Sequence, residues 1–339
     1  PTGASINATK SILQSLPDLT SKDLVLVLIS GGGSALFTSP VKGVSLEEFQ
    51  EMTEILLKSG ADINEINTLR KHLDEVKGGQ LAQRLQPAQI HTLILSDVIG
   101  DNLDMIASGP TIPDPTYFAD AIEIIKKYHL EKKLPVSILS YLRKGADEGC
   151  METLKPGDTP DIQINNYLVG SNFQSAKAGL EIARSLGYNS MILSTQLTGD
   201  THNVGEFLGG IINSEIDHAV PLQKPACLIL GGETTVEVTG GGLGGRNQDL
   251  ALRMVEKIAD IPGLLFITMA TDGEDGPTDA AGAAVDGCTF GEGADENKLQ
   301  IESFIKNNNA YEYLDPLVPH MKTGSTGTNV NDLLFIYAT

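Results

Sequence analysis

The chain has 339 residues, 41% of them hydrophobic, which suffices for about two domains with sizeable buried cores and excludes a disordered or fibrous protein. Asp and Glu number 44 against 24 Lys and Arg, and the resulting net charge of -20 repels a phosphate backbone, so nucleic acid is not expected as a partner. No apolar run approaches membrane-spanning length, no secretory leader precedes Pro1, and Cys150, Cys227 and Cys288 form no paired motif; the expectation is a cytoplasmic protein without disulfides, zinc or membrane contact.

Short apolar runs predict strands at Leu24–Ser30, His91–Asp97, Tyr167–Gly170, Ser190–Thr195, Ala226–Leu230, Leu264–Asp272 and Leu333–Ala338, buried on both faces between helices. Helical spacing fills the gaps. Ser45 with Glu48 is a capping-box pattern ahead of Phe49, Met52 and Leu56, and Asp62 with Glu65 repeats it before Ile66, Leu69, Leu73 and Val76. The alternation predicts an α/β fold, most simply a doubly wound sheet covered on both sides. Proline breaks the periodicity at Lys155–Asp161 and at Pro221–Pro225. The second break is taken as the domain boundary, giving domains 1–220 and 221–339. Beyond it glycine concentrates in Gly231–Gly245 and Gly273–Gly293, and the alternating Thr235–Thr239 predicts an antiparallel edge, hence a mixed sheet.

Four loops carry candidate chemistry. Ser30, Gly31, Gly32, Gly33 and Ser34 follow the first strand, where backbone N–H groups can converge on a phosphate or carboxylate; a plain tight turn is the alternative. Asp97, Asp101 and Asp104 follow the second, where carboxylates can hold Mg²⁺, accept a hydroxyl proton or cap helices. Gly231, Gly232, Glu233 and Thr234 lead to the Gly240–Gly245 loop and then Arg246, whose planar fork at a helix start suits a transferring phosphoryl group. Asp272, Asp275 and Asp279 make a dense oxygen-ligand loop fit for a hard cation or a general base, or else a solvated turn. Arg70, Asp74 and Lys77 share one helical face, either as a surface ion pair or at the lip of a cleft ended by Gly78-Gly79. The histidines show no metal spacing. Gly240, Gly242 and Gly245 match a dinucleotide glycine pattern, but the acidic residue expected about 20 positions later falls in the apolar Leu264–Ile267 run. The dipeptide Gly-Lys never occurs, which removes a Walker loop and leaves a small-molecule kinase of another design.

Ser30–Ser34, Gly60–Gly79, Leu95–Asp114, Gly170–Asn172, Gly231–Thr235, Gly244–Asp249 and Thr271–Asp286, in this order, resemble the class II glycerate kinases, the glycerate 2-kinase family with a C-terminal MOFRL domain. The resemblance implies phosphoryl transfer from ATP to D-glycerate with Mg²⁺, in a cleft between a Rossmann-like domain and the MOFRL domain, with a small molecule as partner and room for a homo-oligomer. By position it implies Arg246 as the γ-phosphoryl arginine. Asp97, Asp101, Asp272 and Asp275 take base and metal roles, and Asp279 is grouped with the metal set. Ser30–Ser34, Arg70, Lys77, Ser171, Asn172, Gly232, Glu233, Thr234, Gly244, Gly245 and Asn247 become ligand contacts. Asp249 stands where the family commonly has Glu. The family also carries a further N-terminal segment with a nucleotide-site lysine, so the chain reads as truncated at its start. The alternatives are an NAD(P)H-dependent hydroxypyruvate reductase, a label some relatives have borne, or an inactive truncated form that only binds ligand.

Overall fold

A computed structural model describes residues 1–149, 152–158, 163–289, 294–318 and 320–339, with the side chains of 294–299 left aside. Cys150, the end of the Lys155–Asp161 turn and the last residues of the Gly273–Gly293 stretch lie outside the described residues. The chain divides into two compact units, Pro1–Val169 and Gly170–Thr339.

The first unit runs α1 (Gly3–Ser15), β1 (Leu24–Ile29), α2 (Gly33–Leu36), α3 (Leu46–Lys58), α4 (Ile63–His72), α5 (Gln80–Arg84), β2 (Gln89–Leu95), α6 (Phe118–Lys127), α7 (Val136–Glu148) and β3 (Ile164–Gly170). Both expected capping boxes form. Glu48 N–H donates to Ser45 Oγ at 3.2 Å while Ser45 N–H donates back to Glu48 at 2.8 Å, and Asp62 with Glu65 does the same. The strands order β1-β2-β3, with β1 and β2 parallel. One face of the sheet packs Val25, Val27 and Ile90 against Leu13 in α1 and Leu16 just after it, and against Leu81 in α5 and Leu85 just after it. The other face of β1 departs from the expected double burial: Leu24, Leu26 and Leu28 are 65%, 57% and 71% exposed, because no described helix of the unit covers them. A second core, of α3, α4, α6 and α7, closes around Phe49, Met52, Leu56 and Phe118.

The second unit runs α8 (Asn172–Ser185), β4 (Asn189–Asp200), α9 (Thr201–His218), β5 (Ala226–Thr235), α10 (Arg246–Lys257), β6 (Leu264–Ala270), β7 (Gly282–Asp286), α11 (Ala294–Lys306), α12 (Ala310–Leu314) and β8 (Asp332–Ala338). Its five-stranded sheet is mixed, in the order β4-β5-β8-β6-β7: β4 and β5 are parallel, and β8 is antiparallel to both its neighbours. Leu208, Leu250, Met254 and Phe266 fill the core on one face, and Ala176, Ala183, Ile229 and Leu333 that on the other.

Three expectations are corrected. Pro221–Pro225 does not separate the compact units, because β4 before it pairs with β5 after it, Asn189 opposite Ala226. Thr235–Thr239 is not a strand: β5 ends at Thr235, and the following backbone is held by Asn308, whose side chain accepts from Thr239 and Gly240 N–H and donates to Glu237 O. The antiparallel members are instead β6, β7 and β8, and β7 escapes the sequence reading because its Gly-Ala-Ala-Val-Asp is too short and small to show a strand pattern. Arg70, Asp74 and Lys77 do not share a helix face, since α4 ends at His72. No helix among the described residues is long and apolar enough to cross a membrane.

Candidate active site

Arg246 is the first residue of α10, and the loop before it is shaped by close packing. A Cβ on Gly240 or Gly242 would lie 2.4 Å from the Asn307–Asn309 segment, and one on Gly245 would lie 2.3 Å from Asp275 Cγ. These glycines are therefore required by neighbouring protein atoms, which accounts for the dinucleotide-like pattern without a pyrophosphate.

Asp275 caps α10 from outside. Its carboxylate accepts from the N–H groups of Asn247 at 3.1 Å and Gln248 at 2.8 Å, backbone amides a helix start leaves without partners, and from Asn247 Nδ2 at 3.2 Å. Burial pushes its carboxyl up to about 6 against the pull of those donors. Asn247 is buried as well, accepting the Thr268 hydroxyl through its other arm, so it braces α10 against β6.

The guanidinium of Arg246 is gripped along one edge by Asp332, at the start of β8. Nε donates to Oδ2 at 2.6 Å and Nη2 to Oδ1 at 2.9 Å, and the Asp332 side chain is 2% exposed. Nη1 meets Glu233 Oε1 at 3.1 Å at the end of β5. Burial works against the charge of Arg246, but the Asp332 hydrogen bonds and the carboxylates of Asp332, Glu233 and Asp275 outweigh it and hold the group protonated. Asp332 is in turn fixed by Asn172, the first residue of α8, whose Nδ2 donates to Val330 O and Asp332 O at 2.8 Å each. Ser171 caps that helix, accepting from Gln174 N–H. Gly231 leaves room for Asn172, since a Cβ there would sit 1.7 Å from its Oδ1; Gly232, at φ +146°, lies against Leu197 O. Asp332 is the functional residue that sequence reasoning missed. An aspartate opening an apolar C-terminal strand was the available signal, but pairing it with an arginine 86 residues earlier needs the sheet order.

The expected cation loop does not assemble. Asp279 is exposed and pairs with Lys322 at 3.0 Å and the Tyr311 hydroxyl at 2.8 Å, Asp275 is spent on the α10 amides, and Asp272 accepts from Glu274 N–H at 3.1 Å in its own turn. Among the described residues, no group of three His, Cys, Asp or Glu side chains is arranged to hold a metal ion. These carboxylates do not fit a protein-built Mg²⁺ cage.

The first unit gathers the other expected residues around the Ser30–Ser34 loop. Gly32 has φ +78°, and a Cβ on Gly31 would lie 2.2 Å from Asp97 Oδ2, so the loop passes directly over that carboxylate. Asp97 is half-buried and burial pushes its carboxyl up. Asp101 stands in a left-handed turn at φ +56°, its N–H donating to Val98 O at 3.0 Å, and Asp104 meets the buried Lys71 at 2.7 Å. Ser34 Oγ meets Ser108 Oγ at 2.9 Å, and Ser34 O accepts from both Arg70 Nη2 at 2.8 Å and Lys77 Nζ at 2.9 Å. Lys77 also donates to Phe37 O, is wholly buried, and is lowered to about 8 by burial, which Asp74 opposes. Arg70 and Lys77 thus hold the loop from behind. Thr234 is likewise internal, buried in β5, and Gly244 is half-buried against the Ala310 backbone.

Residues 1–143 match a domain of unknown function, DUF4147, and residues 226–332 match the MOFRL family. The chain is 44% identical to a glycerate 2-kinase of Pyrococcus horikoshii, over all of this chain and 76% of that protein, and 43% identical to a D-glycerate 2-kinase of Thermotoga maritima, over 98% and 77%. A glycerate kinase of Rattus norvegicus is 36% identical over 98% of this chain and 71% of its own length. The crystal structure of the Thermotoga maritima glycerate kinase superposes with a TM-score of 0.89 at 41% identity, covering all of this chain and 78% of that one. With a parallel and a mixed sheet in these proportions, both family domains in order and this identity over its whole length, the chain belongs to the glycerate kinase family whose members end in a MOFRL domain.

Proposed function

We propose that the chain transfers the γ-phosphoryl group of ATP to the 2-hydroxyl of D-glycerate, giving 2-phosphoglycerate and ADP. The observation that supports this most directly is Arg246, set at the start of α10 and fixed along one edge by the buried Asp332. Phosphoryl transfer asks little covalent chemistry of a protein; it asks for positioned positive charge on the equatorial oxygens. Held by Asp332, the Arg246 fork loses little freedom when its remaining N–H groups meet those oxygens. In the reaction the glycerate hydroxyl oxygen forms a bond to the γ-phosphorus. The bond from that phosphorus to the β–γ bridging oxygen breaks, its electron pair leaving with ADP, and the hydroxyl proton passes to a carboxylate. Mg²⁺ is proposed to arrive on the ATP phosphates, since the chain's acidic loop is committed to other partners. The free thiols of Cys227 and Cys288 support a reducing, cytoplasmic setting.

The test is ADP release from ATP with D-glycerate, run beside NADH oxidation with hydroxypyruvate. ADP formation that depends on glycerate is the expected result; hydride transfer without it would overturn the proposal.

A further inference from the structure

Between Lys322 and Asp332 the chain runs Thr-Gly-Ser-Thr-Gly-Thr-Asn-Val-Asn, a stretch without an acid in a chain that carries 44. It leads straight into the residue that grips Arg246. Asp332 pairs across the sheet with Gly232 in β5 and with Ala270 in β6, so the stretch stands on the edge where those two strands finish. The other glycine-rich segments of that edge are acidic, with Glu233 and Glu237 in one and Asp272, Glu274, Asp275 and Asp279 in the other. Both repel an anion, and this one does not.

The loop is fixed at its base and open at its tip. Thr271 holds the base: its N–H and hydroxyl donate to Asn331 O at 3.1 and 2.7 Å, and the hydroxyl accepts from Val330 N–H at 2.9 Å. Thr326 adds two ties, from its N–H to Asp272 O at 3.0 Å and from its hydroxyl to Thr271 O at 2.7 Å. Residues Lys322 to Thr328 are nevertheless exposed. Among the described residues, nothing accepts from the backbone N–H groups of Gly324, Ser325 and Gly327, and the Ser325 hydroxyl has no partner. Gly324 and Gly327 take φ of +65° and +72°, and a Cβ on either would meet nothing within 4 Å. Here the glycines turn a backbone that faces open space, whereas Gly240, Gly242 and Gly245 are crowded by protein atoms.

We infer that the Thr323–Thr328 loop is the polyphosphate-binding loop of the second unit, giving the backbone N–H groups of Gly324, Ser325 and Gly327 and the Ser325 hydroxyl to phosphate oxygens of a nucleotide. Uncharged donors suit this edge. Its cations are taken by neighbouring acids, Arg246 by Asp332 and Lys322 by Asp279 at 3.0 Å, but a backbone N–H cannot be neutralised in that way. The donors are spread along the loop, which fits oxygens strung along a polyphosphate better than the two oxygens of one carboxylate. The inference rests on the phosphoryl-transfer reading for the identity of the nucleotide, and it concerns binding alone.

The experiment is calorimetric titration of the full chain with ATP alone and with D-glycerate alone, for wild type, Ser325→Ala, Ser325→Asp and Asn213→Asp, with circular dichroism to confirm folding. Ser325→Asp sets a carboxylate among the phosphate donors and is expected to weaken ATP about tenfold or more, while D-glycerate stays within about twofold. Ser325→Ala loses one donor and is expected to weaken ATP about two- to fivefold. Asn213, exposed late in α9, takes the same added charge away from this edge, and Asn213→Asp is expected to change ATP affinity less than about twofold. Unchanged ATP affinity in Ser325→Asp would overturn the inference. So would a loss shared equally by D-glycerate or by Asn213→Asp, or a wild type that binds no ATP. ATP binding that depends on Ser325 in a wild type without glycerate-dependent ADP release would uphold the loop and overturn the proposed reaction instead.

Discussion

The side-chain amide of Asn172 donates to the main-chain carbonyl of Asp332 at 2.8 Å, tying the first residue of α8 to the residue that grips Arg246. Three residues spread over the whole second unit thereby form one rigid line, from Asn172 through Asp332 to Arg246. Asn172→Ala leaves the buried carbonyls of Val330 and Asp332 without this donor, and the expected cost is about 1–3 kcal/mol of stability. The expected kinetic effect is a lower kcat with KM little changed, since Asn172 acts through Asp332. Chemical denaturation and steady-state rates on the same preparation check both.

Asp332→Asn removes the charge from a buried pair and leaves Arg246 half-held, and breaking such a pair typically costs about 3–5 kcal/mol. Arg246→Lys keeps the charge but cannot reproduce the two-point grip. We expect it to lose roughly 10³-fold or more in kcat, close to Arg246→Ala, as for other arginines that act on transferring phosphoryl groups. Steady-state kinetics with circular dichroism separate loss of rate from loss of fold. A folded Arg246→Ala variant with wild-type turnover would remove Arg246 from the chemistry.

Asp275 gives the second unit a pH dependence of definite sign. Its carboxyl is raised from 3.8 to about 6 in the folded chain, so the folded state holds a proton that the unfolded state has released between those values. Its contribution to stability is complete below about pH 4 and is lost as pH rises through 6, by on the order of 3 kcal/mol. The stability difference between wild type and Asp275→Asn, followed by denaturation from pH 4 to 7, is expected to shift in that direction. A flat difference would show that the helix amides hold the carboxylate charged throughout.

Lys77 works in the opposite sense and at higher pH. Burial lowers its ammonium from 10.5 to about 8, so the folded state gives up its proton first and stability attributable to Lys77 rises between those values as the pH is raised. Lys77→Met removes that slope and leaves Ser34 O and Phe37 O without their donor. The variant is expected to fold, to show a looser Ser30–Ser34 loop in hydrogen exchange, and to lose catalytic efficiency.

Seven of the eight described strands and two of the capping boxes, Ser45 with Glu48 and Asp62 with Glu65, were legible in the residues, because apolar runs and cap residues act over a few neighbours. The site was legible only in part. Arg246 stands out as a cation after a glycine loop, and a local pattern suffices to find it. The partners of that cation come from the start of β8 and the end of β5, and only the sheet order brings them together. The acidic loop failed for the same reason: Asp272, Asp275 and Asp279 look like one cluster in sequence, but each turns to a different neighbour, a backbone turn, a helix start and a lysine. Ser171, Asn172 and Asn247 read as ligand contacts from the sequence, and in the structure each makes internal hydrogen bonds, since a polar side chain next to glycines has the same signature in either role.

The crowding of carboxylates around one arginine also bears on how fast a ligand arrives. Asp332, Glu233 and Asp275 all act on Arg246, and the whole chain carries -20, so an incoming anion meets a repulsive far field before it reaches any attractive group. Electrostatic steering therefore runs backwards here: added salt shortens the reach of the repulsion, to about 8 Å near physiological ionic strength, and the association rate of an anionic ligand should climb with salt where most charge-recognising sites slow down.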